Sequence, residues 1–153
     1  MSNYKNILLE TEGPLVCLTL NRPDKINALS EETIDEITSA LNSLAVSPSV
    51  RVIIIRAAGR HFCAGHDLEE LTGRDMADYR GIFTKCSRMM TLIHQIPQPV
   101  VAQVHGVATA AGCQLVAACD LAAAEEGARF GTPGVRIGLF CSTPMVPLFR
   151  AVG

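Results

Sequence analysis

The chain has no tryptophan, two tyrosines and five phenylalanines in 153 residues. Packing therefore falls to Ala, Val, Ile and Leu, the residues of buried α/β layers. Charge of neither sign accumulates: 13 basic against 15 acidic residues leave a formal net charge of −2. The basic residues are scattered and form no stripe, so nucleic acid is not an expected partner. No apolar run approaches the ~20 residues that span a bilayer, so no membrane partner is expected either. The six cysteines (Cys17, Cys63, Cys86, Cys113, Cys119 and Cys141) show no C-x-x-C spacing, and several sit in apolar runs. They read as free thiols of a reducing compartment. The four histidines have no i, i+4 pairing, so no metal site is expected. Met1 to Glu10 has neither an apolar signal core nor the Arg- and Ser-rich composition of a transit peptide, which places the protein in the cytoplasm.

What is present reads as alternating strands and helices. Ile7–Glu10 and Leu15–Leu20 form a hairpin about Glu12-Gly-Pro14. Ser30 caps a helix that carries Glu31 and Glu32 in its first turn and Ile34, Ile37, Leu41 and Leu44 at helical spacing. Val50–Arg56 is a β-branched run, expected as a buried parallel strand. Leu68–Ile96 reads as mostly helical, with a break at Gly73 and Asp75 and an apolar stripe of Ile82, Cys86, Met89, Met90 and Ile93. Val100–Val104 is a second buried strand, Gly112–Ala118 a helix of small residues, and Cys119–Ala124 a short strand. Leu148 to Gly153 reads as mid-helix. The order β-β-α-β-α-β-α-β predicts stacked ββα units around a largely parallel sheet.

Two stretches carry chemistry. His61-Phe-Cys-Ala-Gly-His-Asp-Leu68 and His105-Gly-Val-Ala-Thr-Ala-Ala-Gly-Cys-Gln-Leu115 each read as a strand running into a small-residue turn that opens a helix. Such turns leave backbone N–H groups unpaired and pointing outward. Two of them facing each other supply a pair of donors for one developing oxyanion, as needed to polarise a thioester carbonyl.

Phe62-Cys-Ala-Gly-His-Asp-Leu68 matches F-x-A-G-x-D-[LI], and Arg22-Pro-Asp-Lys-Ile-Asn-Ala-Leu29 matches R-P-x-x-x-N-A-L. Gly106, Ala108, Gly112 and Leu115 fit G-x-A-x-G-G-G-x-E-L, with Ala110 and Ala111 standing where glycines are usual. On these motifs the chain resembles the enoyl-CoA hydratase/isomerase (crotonase) superfamily, and within it the enoyl-CoA hydratase domain-containing branch. The resemblance implies an α/β fold with a crotonase-like ββα-spiral core, residues 1–153 being its N-terminal core. The C-terminal helical part would be missing and an apolar face left open. It implies an acyl-CoA thioester as ligand, CoA arriving as part of the substrate with no separate cofactor, and a homo-oligomer (trimer or hexamer) at full length. The backbone N–H groups of His66 and Ala111 would be the oxyanion donors. Ala64, Gly65, Asp67 and Leu68 would line the passage for CoA, and Arg22, Lys25 and Ala28 would sit near its adenine and phosphates.

The family's acid–base positions are empty by the same resemblance. Gln114 stands in the slot of one catalytic glutamate, Gly134 in that of the other, and Ser142 in that of an aspartate used by some isomerases and dehalogenases. Thr109, Thr132, Cys141 and Thr143 are the remaining polar candidates. Gln114 can orient a water through its amide but cannot accept a proton at neutral pH. Positioned acid–base groups contribute ~10²–10⁴-fold each, so efficient hydration is not expected. Two alternatives to an oxyanion-stabilising enzyme stay open: an acyl-CoA-binding protein with little turnover, and a structural subunit completing an oligomer.

Overall fold

The computed structural model describes residues 4–138 and 140–152; Met1–Asn3, Leu139 and Gly153 of the segments above lie outside them. Five strands form one sheet in the order β1-β2-β3-β4-β6. These are β1 (Ile7–Glu12), β2 (Leu15–Leu20), β3 (Val52–Ala57), β4 (Val100–Val104) and β6 (Leu121–Ala124). Only β1 with β2 is antiparallel; every other pairing is parallel. The helices are α1 (Glu31–Ala45), α2 (Met76–Gln95), α3 (Ala111–Ala118) and α4 (Ser142–Val152). A separate parallel pair joins β5 (Val107–Thr109) to β7 (Arg129–Gly131). The α/β class, the largely parallel sheet and the hairpin follow the expectation.

Local chemistry sets the helix starts. Ser30 accepts the Thr33 N–H at 3.2 Å and Asp75 accepts those of Ala77 and Asp78. Each cap satisfies donors that the first turn otherwise leaves unpaired. The segment from Leu68 divides as its Gly and Asp suggested. A 3-10 turn runs Leu68–Leu71, and α2 starts only after Asp75. The core joins Val16, Leu18 and Leu20 of β2, Ile53 and Ile55 of β3, and Val100, Ala102 and Val104 of β4 to the inner faces of α1, α2 and α3. These strand positions alternate, so they share one face of the sheet.

That alternation narrows the expectation of β3 and β4 as buried strands to one face of each. Val52, Ile54, Val101 and Gln103 on the opposite face are only half-buried or exposed. An unbroken β-branched run fits a one-sided strand as well as a two-sided one, so periodicity could not separate them. β6 begins two residues later than expected, because Cys119 closes α3. All four β6 residues are exposed, and β6 lies at the edge of the sheet. β5, β7 and the full extent of α4 are additions: three-residue strands and a helix holding Pro144 and Pro147 leave little periodic signal.

Candidate active site

Three loops meet at one end of the parallel strands. The first is Arg22–Leu29. Ile26 and Asn27 both adopt left-handed backbone, at φ 53° and 51°. Asn27 holds this turn from within. Its Oδ1 accepts the Arg22 N–H at 2.8 Å, and its Nδ2 donates to the carbonyls of Ala58 and His61 at 2.8 and 2.9 Å. No role was foreseen for Asn27. The signal was its residue type, since Asn tolerates left-handed backbone better than most side chains.

The second loop, Phe62–Leu68, is bound to the first. Ala64 N–H donates to Ile26 O, Leu29 N–H to Gly65 O and Asp67 N–H to Leu29 O. Arg22 donates to Ala28 O at 2.7 Å and to Asp67 Oδ2 at 3.0 Å. This ion pair is largely shielded, the two side chains being 19% and 9% exposed. Arg22 and Asp67 are therefore occupied by each other and brace the two loops. Lys25 is exposed and bonds Glu69 at 2.7 Å, which raises its pKa. Ala28 is buried, Ala64 half-buried and Leu68 exposed.

The third loop enters through β5. Cys63 N–H donates to Val107 O at 3.1 Å and Thr109 N–H to Cys63 O at 2.9 Å, so the two signature turns run side by side. Thr109 Oγ1 adds a bond to Ala64 O at 3.1 Å. Contact is close enough to require glycine on both sides. Gly65 has φ 100°, and a methyl there would lie 2.8 Å from Ala110 Cβ and 3.2 Å from Ala111 N. A methyl on Gly112 would collide with the Cys63 carbonyl oxygen and lie 2.8 Å from its Cβ. Gly65 immediately precedes His66, so the His66 and Ala111 N–H groups belong to turns that touch at Gly65. Neither donates to another backbone or side-chain group among the described residues. Ala111 opens α3, whose first N–H groups have no partner within the helix. Such a pair can donate to one ligand oxygen.

The side chains around this pair are neutral. His66 meets Phe83 edge-on at 5.1 Å, and both ring nitrogens are buried without a hydrogen-bond partner. Burial pushes its pKa below the usual value near 6.5, so the imidazole is uncharged at neutral pH. Gln114, one turn into α3, is 5% exposed, and its Oε1 has no partner. Gly134 is buried in the 3-10 segment Pro133–Ile137. The strand before that segment, β7, is tied to the second turn through Ala110 N–H, which donates to Gly131 O at 2.8 Å. Ser142 opens α4 and is exposed, as is Thr143, while Thr132 and Cys141 are half-buried. All six cysteines are free thiols, and burial drives those of Cys63, Cys86 and Cys119 up to about 12, which leaves them inert. No cluster of three or more His, Cys, Asp or Glu fit for a metal occurs among the described residues.

Comparison with known proteins bears on this arrangement. The family model described as enoyl-CoA hydratase/isomerase matches residues 10–153. The mitochondrial enoyl-CoA hydratase domain-containing protein 3 of Danio rerio is 49% identical over 146 residues, covering 95% of this chain and 50% of that protein. Among solved structures, the enoyl-CoA hydratase of Mycobacterium smegmatis superposes with a TM-score of 0.94 at 48% identity, over 97% of this chain and 59% of that one. Human enoyl-CoA hydratase domain-containing protein 3 superposes with a TM-score of 0.91 at 44% identity, over 95% and 58%. The chain thus spans about half the length of these curated relatives. The names of the Danio rerio, Xenopus laevis and Homo sapiens proteins place them in the mitochondrion, which overturns the expectation of a cytoplasmic protein. Compartment is set by targeting signals that receptors read, so the composition of Met1–Glu10 does not carry it. With the motifs, the fold and these matches in agreement, the chain belongs to the enoyl-CoA hydratase/isomerase family.

Proposed function

We propose that the protein binds an acyl-CoA thioester and polarises its carbonyl through the backbone N–H groups of His66 and Ala111. The observation that carries this reading is the contact of the two signature turns through Gly65 and Gly112, which leaves both N–H groups without protein partners. Donors placed where negative charge develops stabilise an enolate, and removing one such donor typically costs ~10²–10³-fold in rate. CoA is part of the substrate, and no separate cofactor enters the proposal. Lys25 is exposed near the loop entrance and suits a phosphate, once released from Glu69. Arg22 and Asp67 support this binding by holding the loops rather than by touching CoA. The full-length protein is proposed to be a homo-oligomer.

Proton transfer is the part least provided for. Gln114 is neutral, Gly134 has no side chain, and the Asp67 carboxylate is held by Arg22. The His66 imidazole does not fill the gap in this conformation, because both nitrogens are covered. These observations favour thioester binding with slow hydration, and a pseudoenzyme is the second reading. Calorimetry with a non-hydrolysable acyl-CoA is expected to give micromolar or tighter binding, weakened in Lys25→Met and abolished in Gly65→Val. Absence of heat up to millimolar ligand would overturn the proposal.

A further inference from the structure

Two ion pairs join the same two segments, Arg22–Leu29 and Asp67–Leu71, and they differ in exposure. Arg22 Nη2 meets Asp67 Oδ2 at 3.0 Å, with the side chains 19% and 9% exposed. Lys25 Nζ meets Glu69 Oε1 at 2.7 Å, with the side chains 43% and 77% exposed. The inner pair is shielded from water, and breaking it strands a charge. The outer pair lies in solvent, where such contacts are weak and screened by salt. Opening the outer pair therefore leaves the loops braced. Glu69 is also held independently of its carboxylate: its N–H donates to Asp67 Oδ1 at 3.2 Å, and its carbonyl accepts the Thr72 hydroxyl at 3.0 Å. The neighbouring Glu70 carboxylate is engaged by the Glu31 N–H at 2.7 Å, whereas that of Glu69 has Lys25 as its one partner among the described residues.

These segments carry more acid than base: Asp24, Asp67, Glu69 and Glu70 against Arg22 and Lys25. A ligand bearing phosphates meets net negative charge here, and the exposed cation, Lys25, is already held by a carboxylate. We propose that Glu69 is a built-in competitor for the phosphates of an acyl-CoA. It holds the Lys25 ammonium in the free protein, and the ligand binds by exchanging a phosphate oxygen for the Glu69 carboxylate. This deepens the acyl-CoA reading and rests on it. One ion pair is traded for another, so Lys25 adds less affinity than a free lysine would. A thioester without phosphates gains nothing from the exchange. Glu69 thereby sets the affinity for the nucleotide-bearing ligand; it acts through Lys25 and leaves the thioester untouched.

The test is calorimetry at low and high salt with butyryl-CoA and with butyryl-pantetheine, the same thioester without phosphate. It uses the full-length protein and its Glu69→Gln, Lys25→Met and doubly substituted variants. Glu69→Gln is expected to tighten butyryl-CoA binding about 2- to 5-fold at low salt, the range of an exposed pair. The gain should shrink at high salt and vanish in the Lys25→Met background. Butyryl-pantetheine binding should be the same in parent and Glu69→Gln, or undetectable in both, and the two urea unfolding curves should coincide. Unchanged or weaker butyryl-CoA binding in Glu69→Gln overturns the inference and leaves the acyl-CoA reading standing. So does a gain of equal size in the Lys25→Met background, which would assign Glu69 to general repulsion. A matching gain with butyryl-pantetheine, or a shifted unfolding curve, would trace the effect to moved loops and overturn the inference as well. No heat with butyryl-CoA on any variant overturns both readings.

Discussion

Ala110 holds φ 50° and ψ −122°, a backbone region that glycine enters freely and alanine does not. Such positions cost ~1–3 kcal/mol and persist where the surroundings over-determine them. Here Ala110 N–H is bound to Gly131 O, and its carbonyl accepts the Gln114 N–H at 3.0 Å. Both bonds hold the turn that aims the Ala111 N–H. Ala110→Gly is expected to raise stability in urea unfolding by about 1 kcal/mol, strain relief outweighing the added freedom of the unfolded chain. A destabilised variant would show that the turn is relaxed as it stands. His66 supplies a pH dependence. Its pKa is depressed in the folded state and near 6.5 in the unfolded one, so the unfolded chain binds the proton first. Stability from this group is complete above about pH 6.5 and falls as the pH drops below that value. His66→Gln should flatten the decline between neutral and mildly acidic pH; an unchanged slope would assign it to another group.

At the scale of elements, the site is three loops braced by a few polar contacts. Arg22 and Asp67 form the main tie, and removing one partner leaves the other charge buried without compensation. Arg22→Met is expected to cost about 3 kcal/mol in urea unfolding, with loss of CoA binding. Lys25→Met, at an exposed pair, should leave the unfolding curve in place and lower CoA affinity alone. If both variants unfold alike, the tie between the loops is not structural. Gln114 and Gly134, which the family resemblance assigns to acid–base positions, lie on two further elements, α3 and the 3-10 segment after β7. Gln114→Glu with Gly134→Glu is expected to raise crotonyl-CoA hydration well above the parent, and each single change far less. One group positions the water that the other activates, so the pair acts as a unit. A parent that already turns over at rates typical of enzymes, about 1–10³ s⁻¹, would show that another base is present.

The whole molecule is unevenly covered. Leu121, Phe130, Val135, Phe140, Val146, Phe149 and Val152 are large, apolar and exposed, and all lie in the last third of the chain. Leu8, Leu9, Ile26, Val46, Leu68 and Met76 are exposed elsewhere, and apolar surface of this extent favours association. The 153-residue chain is expected to bind a hydrophobic dye and to self-associate on gel filtration. Phe149→Glu together with Val152→Glu should reduce both. A monodisperse, dye-silent chain with a cooperative melt would show that this face closes by itself.

Periodicity, caps and glycines made most of the framework legible in one dimension. Ser30 and Asp75 start helices through contacts two or three residues away. The stripe from Ile82 to Ile93 has one buried solution, and the motifs around Gly65 and Gly112 announced a close approach of two turns. What the sequence determined was local, because each of these signals is satisfied within a few residues of itself. The tertiary structure decided which polar groups are already occupied. Arg22 and Asp67, 45 positions apart, neutralise one another, while Gln114 and Arg150, on different helices, face a common cavity. It also decided that β3 and β4 are covered on one face only. A residue's own identity does not report its partners when the contact is brought about by packing distant segments. The chemistry left available at a site is what remains after those partnerships are made.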